Sequence, residues 1–258
     1  MKNIQRELWE HRYLYLAPLA VAALCIVGLL ISAIRTQHTD ISPYDLSAGL
    51  IMVTTLIVGI IYSLDALYGE RRDRSILFWK SMPVSDLTAV LSKACIPILV
   101  LPLLTFAITL TTHIMMFLLS VLVLWNFTLP WNNAALFSRS VMLLYHLILI
   151  HGLWYAPIFG WLLLVSAWAR RAPILWASLP LITIGVFEKI AFNGSYFQSI
   201  LISRIGGVDD PGPFMGTDTM MHLAPGLLLT SPGLWIGLVA TAVFLSGAVY
   251  LRRNRAPI

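Results

Sequence analysis

Charge is scarce in this chain. Only 11% of its 258 residues are Asp, Glu, Lys or Arg, against about 25% in an ordinary soluble domain. Hydrophobic residues make up 59%, above the roughly 45–50% of soluble domains. No soluble core hides that much apolar surface, so the composition is that of an integral membrane protein. Cysteine is nearly absent too. Cys25 and Cys95 lie in or beside apolar runs, with no CxxC or CxxH context. That excludes a disulfide framework or a cysteine metal site and leaves two small buried apolar residues.

Several motifs are missing. No GxxxxGK[ST] phosphate loop occurs, so any nucleotide hydrolysis belongs to another chain. There is no HExxH, no GxSxG and no intramembrane pair of aspartates, so an enzyme is not expected. No internal repeat and no separable soluble domain is visible. Residues Met1 to Tyr13 are polar and mixed in charge, and no small-residue cleavage site follows the first apolar run, so a cleaved leader is not expected. The net charge is +5, but the basic residues cluster at the ends of apolar runs. They fit topology and anionic lipid headgroups rather than nucleic acid.

What is present is a series of apolar runs. A helix crossing the hydrocarbon needs about 20 apolar residues. Six segments qualify, at about 13–34, 46–67, 94–124, 137–167, 172–191 and 232–251. The third and fourth exceed one crossing, and Pro97 and Pro102 are placed to kink the third. The expected fold is an all-α integral membrane protein with six transmembrane helices in a single domain, 1–258. Ile4, Leu8 and Trp9 recur at helical spacing among Lys2, Arg6, Glu7, Glu10 and Arg12, which predicts an N-terminal interfacial amphipathic helix. The outer loop, 192–231, turns repeatedly through GGVDDPGPFMGTD. Its run Leu227–Leu229 is too short to cross, which suggests a re-entrant or interfacial segment before the sixth span.

Lys and Arg set the orientation. With the N-terminus inside, thirteen fall on the inner side and only Arg35, Arg139, Lys189 and Arg204 on the outer. Both termini are therefore expected in the cytoplasm, as for a multi-pass protein of a bacterial inner membrane.

The inner loop, 68–93, is the most charged segment. Glu70, Arg71, Arg72, Asp73 and Arg74 precede Ser75 and the bulky run Ile76, Leu77, Phe78 and Trp79. Lys80, Ser81, Met82 and Pro83 follow. Pro83 stops a short helix. Ser85 then caps another, with Asp86 at the positive end of its dipole. Leu87, Val90, Leu91 and Ala94 carry it into the third span, where Lys93 is placed to snorkel to the headgroups. A two-turn helix cannot bury Ile76 to Trp79 within itself. The inner leaflet or a groove on a cytoplasmic partner must take them, and an aromatic anchor ringed by Arg and Lys suits the partner.

This loop resembles that of ABC-2 type permease subunits, in which "ER", a Ser or Thr, several bulky residues, "PVS" and a later Lys recur. Here they stand as Glu70-Arg71, Ser75, Ile76 to Trp79, Pro83-Val84-Ser85 and Lys93. The run Arg71-Arg72-Asp73-Arg74 departs from the "ERGT"-like residues of many members. The resemblance covers the whole chain through the six-span plan, inner termini and outer segment. It implies that residues 76–82 are a cytoplasmic coupling helix docking on an ATP-binding cassette subunit. Two such subunits and a second permease copy or paralogue would complete an exporter, with ATP and Mg2+ held by the partner. The lack of a large outer domain argues against import. A non-transporting immunity, sensory or assembly subunit would need the same loop.

Ionisable residues within the spans complete the candidates. Asp65 is placed to pair with an interfacial Arg. His113, His146 and His151 are candidates to line a path. The five-residue spacing of the last two puts them off a common face, unlike the i, i+4 pairs of metal sites, so no metal is expected. Glu188 and Lys189 anchor the outer end of the fifth span.

Overall fold

Backbone polar groups in lipid must be satisfied within their own segment or in a closed barrel, and the long apolar runs form helix wherever their residues are described. The computed structural model describes Glu7, residues 9–34, 43–73, 85–122, 140–141, 143–206 and 231–254. Among these residues there is helix and turn and no strand. The helices are α1 (Tyr13–Ile34), α2 (Pro43–Asp65), α3 (Tyr68–Arg72), α4 (Asp86–Cys95), α5 (Leu101–Leu122), α6 (Leu143–Trp154), α7 (Ala156–Trp168), α8 (Pro173–Phe192), α9 (Tyr196–Gly206) and α10 (Pro232–Asn254). Five stretches are long and apolar enough to cross a membrane: Tyr13–Ser32, Pro43–Arg72, Asp86–Leu119, Pro173–Phe192 and Pro232–Asn254. The pair α6 and α7 qualifies only jointly and is bent by 44°. The chain is a multi-pass helical membrane protein.

The ends of these helices follow local chemistry. Proline opens α2, α8 and α10, where its missing N–H costs nothing. α2 stops at Asp65 because Ser166 Oγ takes the N–H groups of Leu67 and Tyr68, at 3.0 and 2.9 Å. Asn193 ends α8 in the left-handed region, φ 47°, a frequent helix stop. At α4, Ser85 Oγ accepts from Thr88 N at 3.1 Å, the expected cap, so the third span starts at Asp86 rather than near 94. Ser85→Ala is expected to cost about 1 kcal/mol. Amide exchange at Thr88 should quicken while the global melting point barely moves. Unchanged exchange there would remove the cap from the account.

The two overlong spans are not simple tilted rods. α4 and α5 are joined by a π-helical turn, Ile96–Val100, in which Leu101 N–H bonds to Ile96 O. Pro97 lies within it and Pro102 just beyond it. A proline lacks the N–H and clashes with the carbonyl four residues back, and the wider i→i+5 turn absorbs that misfit. The second π segment, Leu147–Trp154, forms most of α6. Tyr155 N donates to Ile150 O at 3.0 Å, and Pro157 stands in the first turn of α7. The 44° bend has these identifiable causes.

The two π segments touch. A Cβ built on Gly152 would lie 2.8 Å from Ile98 O, so only glycine admits this approach. The carbonyl of Ile98 is one that Pro102 cannot serve. α7 and α10 pack along each other, with Gly160 against Thr241. Small residues let backbones meet where lipid supplies no hydrophobic drive.

One buried cluster lies at the end that carries Lys93 and Arg252, here the charged end. Leu14, Tyr62, Val90, Ile96, Leu101, Leu163 and Ala248 form its core. By contrast α8 shows Ile174, Ile182, Phe187 and Ile190 outward, as a lipid-facing helix does.

The segment after α8 contains helix α9, where the sequence predicts a loop. Glu188 does not merely anchor α8. Its carboxylate accepts from Tyr196 N and Phe197 N at 2.7 and 2.8 Å, capping α9. At the other end Arg204 donates to Gly233 O at 2.9 Å and lies over the Trp154 ring at 4.3 Å. Burial lowers the pKa of this guanidinium.

Candidate functional site

At the charged end, five ionised side chains from four segments form one connected network. Lys93, in the last turn of α4, holds Glu7 Oε1 at 2.8 Å and Glu70 Oε1 at 3.2 Å. Arg252, in the last turn of α10, holds Asp86 Oδ1 at 3.1 Å and pairs closely with Glu70 Oε2. Tyr62 on α2 donates its hydroxyl to Glu7 Oε2 at 2.9 Å, and His11 Nε2 stands 3.8 Å from the same oxygen. The two cations are 5% and 4% exposed and the two glutamates 12–13%. Buried charges survive only when paired and hydrogen-bonded, and each of these is.

This corrects the expectation for Lys93. It does not snorkel but turns into the protein beside Val90 and Ala94. Two carboxylates already stand there, and they satisfy the ammonium better than an interfacial position would. The other flanking residues divide. Arg71 is buried and donates to Ala167 O at 2.7 Å and Ala169 O at 3.2 Å, closing the free carbonyls at the end of α7. Arg72 and Asp73 are exposed and pair with each other at 3.1 Å. Asp65 makes no ion pair among the described residues. Its oxygens instead lie near Gly69, at 3.4 Å from a Cβ built there.

The network brackets the inner loop. Glu70 and Arg71 lie on the stem before it. Ser85, Asp86 and Lys93 lie on the stem after it. Both stems are fixed to α7 and α10 by charge and hydrogen bonds. The candidate docking residues Arg74, Ser75, Ile76, Leu77, Phe78, Trp79, Lys80, Met82 and Pro83 lie outside the described residues. So do most of the N-terminal amphipathic stretch and the segment 207–230 expected to be re-entrant.

The histidines behave differently from one another. His113 Nε2 is 3.1 Å from Tyr44 O, and its ring meets Tyr44 edge-on at 5.6 Å. His146 and His151 are brought together, with ring centroids 5.7 Å apart. The expectation that five-residue spacing separates them fails because their segment is π-helical. Its i→i+5 geometry sets residue i+5 over residue i. Cys25 and Cys95 are free and half-buried. No group of three or more His, Cys, Asp or Glu is placed to hold a metal ion among the described residues.

Sequence reasoning missed Glu7, Tyr62 and Arg252 as site residues. Arg252 was visible only as one more inner charge, and nothing in the sequence pairs it with Glu70 across 182 positions. The class of protein that fold and site define is a multi-pass helical membrane protein whose largest charged loop is clamped at both stems. None of the family models, curated proteins or solved structures compared with this chain matches it.

Proposed function

We propose that the chain is the membrane subunit of an ATP-driven exporter of the ABC-2 type. The observation that carries this reading is the clamp on the inner loop. A loop meant to pass force to the spans must be stiff at its base. Here Glu70 and Lys93, both in the family-like pattern of the loop, meet at 3.2 Å. Arg71 is bonded to the end of α7 and Asp86 to the end of α10. A push on residues 74–84 would therefore reach the two spans that carry the stems and, through Arg71 and Asp86, α7 and α10.

In this reading the bent pair α6–α7 counts as one crossing, which makes six. The charged end faces the cytoplasm of a bacterium, and both termini lie there. Ile76 to Met82 form the coupling helix, with Phe78 and Trp79 filling a groove on the ATP-binding subunit. Six spans are half a translocation unit, so a second copy or a paralogue joins, with two ATP-binding subunits that carry ATP and Mg2+. Closure of the nucleotide dimer moves the coupling helices, and the spans alternate their access. The scarcity of charge in the spans suits a hydrophobic or amphipathic substrate.

The test is co-purification with a candidate ATP-binding cassette subunit from the same genome, followed by ATP hydrolysis with and without this chain. Phe78→Ala with Trp79→Ala is expected to abolish the stimulation of hydrolysis and weaken assembly by tenfold or more, consistent with aromatic hot spots of about 2 kcal/mol or more each. Assembly and stimulation both unaffected would sink the coupling assignment. Stimulation without movement of any solute across proteoliposomes would turn the reading to a non-transporting subunit.

A further inference from the structure

The pair His146 and His151 has features that docking an ATPase does not use. In an ordinary α-helix, at about 100° per residue, they would diverge by roughly 140°. The π-helical Leu147–Trp154 removes that divergence and holds the rings 5.7 Å apart, inclined at 52°. Both rings are buried. Among the described residues, His146 Nε2 and both ring nitrogens of His151 have no hydrogen-bond partner. Burying such polar groups unpaired costs a few kcal/mol each, so the pair is built to hold something.

Size and charge narrow what that is. The cavity beside His151, lined by Thr55, Pro97, Leu101, Thr105 and Phe159 among others but not by His146, measures about 10 Å³, so the space on the His151 side of the pair is small. That admits one atom, not an organic molecule or an oxyanion. No carboxylate or thiolate completes a cluster of three among the described residues. Zinc wants four ligands, and calcium or magnesium six or more oxygens. A divalent ion would also leave two uncompensated charges in hydrocarbon, where a monovalent ion leaves one. A soft monovalent ion with a filled d shell is satisfied by two nitrogens in line. Two metal–nitrogen bonds of about 2 Å, each with its ring centre roughly 1 Å behind the nitrogen, separate the ring centres by about 6 Å. The observed separation is close to that. Met52, Phe106, Leu143 and Leu147 pack around the same turn of α6, an apolar setting that suits a soft ion.

We propose that His146 and His151 form a two-nitrogen binding site for copper(I) within the membrane domain. The site needs no partner chain, so it stands or falls separately from the exporter reading. The test uses the full chain in lipid nanodiscs, with any affinity histidines removed, under anaerobic conditions. Copper(I) is titrated against a chromogenic copper(I) chelator, with silver(I) as a redox-inert probe. One equivalent per chain is expected, with at least tenfold weaker binding in H146Q or H151Q and none in the double variant. X-ray absorption of the copper(I)-loaded wild type should show two nitrogens at about 2 Å and no further shell of ligands; this measurement needs no variant to fold. Equal binding by the wild type and the double variant would overturn the site. So would a wild type that fails to compete with the chelator, or a spectrum of four oxygen or nitrogen ligands.

Discussion

Glu70→Gln is expected to destabilise the protein by about 3–5 kcal/mol, the usual effect of removing one partner from a buried ion pair. Glu70 is the only carboxylate in the described network that meets both cations, Lys93 through one oxygen and Arg252 through the other. Neutralising it leaves each cation with one remaining partner, Glu7 or Asp86, and both stay almost fully buried. Asp86→Asn is expected to cost far less, about 1 kcal/mol. Asp86 is 28% exposed and, among the described residues, pairs with Arg252 alone. Melting of the purified chain, followed by tryptophan fluorescence, gives the order. Equal losses in the two variants would show that the network is not centred on Glu70. Pairing Glu70→Gln with Arg252→Met should recover part of the loss, because the second change removes a cation that the first stranded. The same variants should weaken stimulation of the partner ATPase if the clamp transmits force.

The sequence made the helices legible because apolar length is a one-dimensional signal. The first expected segment, 13–34, coincides with helix α1, and the segments expected at 172–191 and 232–251 lie within a few residues of helices α8 and α10. Rotation about the helix axis was not legible. Leu87, Val90, Leu91 and Ala94 read as one stripe, as they would on a soluble amphipathic helix. In the structure Val90 and Ala94 turn inward with Lys93, while Leu87 and Leu91 are 54% and 43% exposed. Where lipid is the surroundings, leucines can face out and the charged residue goes in, toward other charges. Apolar pattern alone does not tell the two faces apart. The partners of Lys93 come from positions 86 residues before and 23 before, and no local spacing encodes that.

The π segments show a different limit. Pro97 and Pro102 were visible as a disturbance, and so was the excess length of the third and fourth spans. Whether a helix answers such a disturbance by kinking or by widening depends on what packs beside it. Here Gly152 lets the two disturbed segments lie against each other. The same widening turned His146 and His151 from opposite faces to one. A five-residue spacing is informative only once the turn is known to hold more than four residues.

That contact carries the second large effect. Gly152→Ala is expected to cost about 1–3 kcal/mol, and Gly152→Leu more, as overpacking does. The added Cβ would lie 2.8 Å from Ile98 O and 3.8 Å from Leu147 O. Both are backbone atoms, which cannot swing aside as a side chain can. One of the two π segments must move or revert to an α-helical turn. Reversion would reinstate the proline misfit at Pro102 or part the two histidine rings. Gly28 and Gly185 supply the control, since a Cβ at either meets nothing within 4 Å. At those positions alanine is expected to be neutral or stabilising by up to about 1 kcal/mol through helix propensity. A melting series over the three alanine variants separates contact from propensity. Should Gly152→Ala melt with Gly28→Ala, the close approach of the π segments is wrong. Should it melt lower and also lose silver(I) binding, the seat at Gly152 is what holds the histidine pair in register.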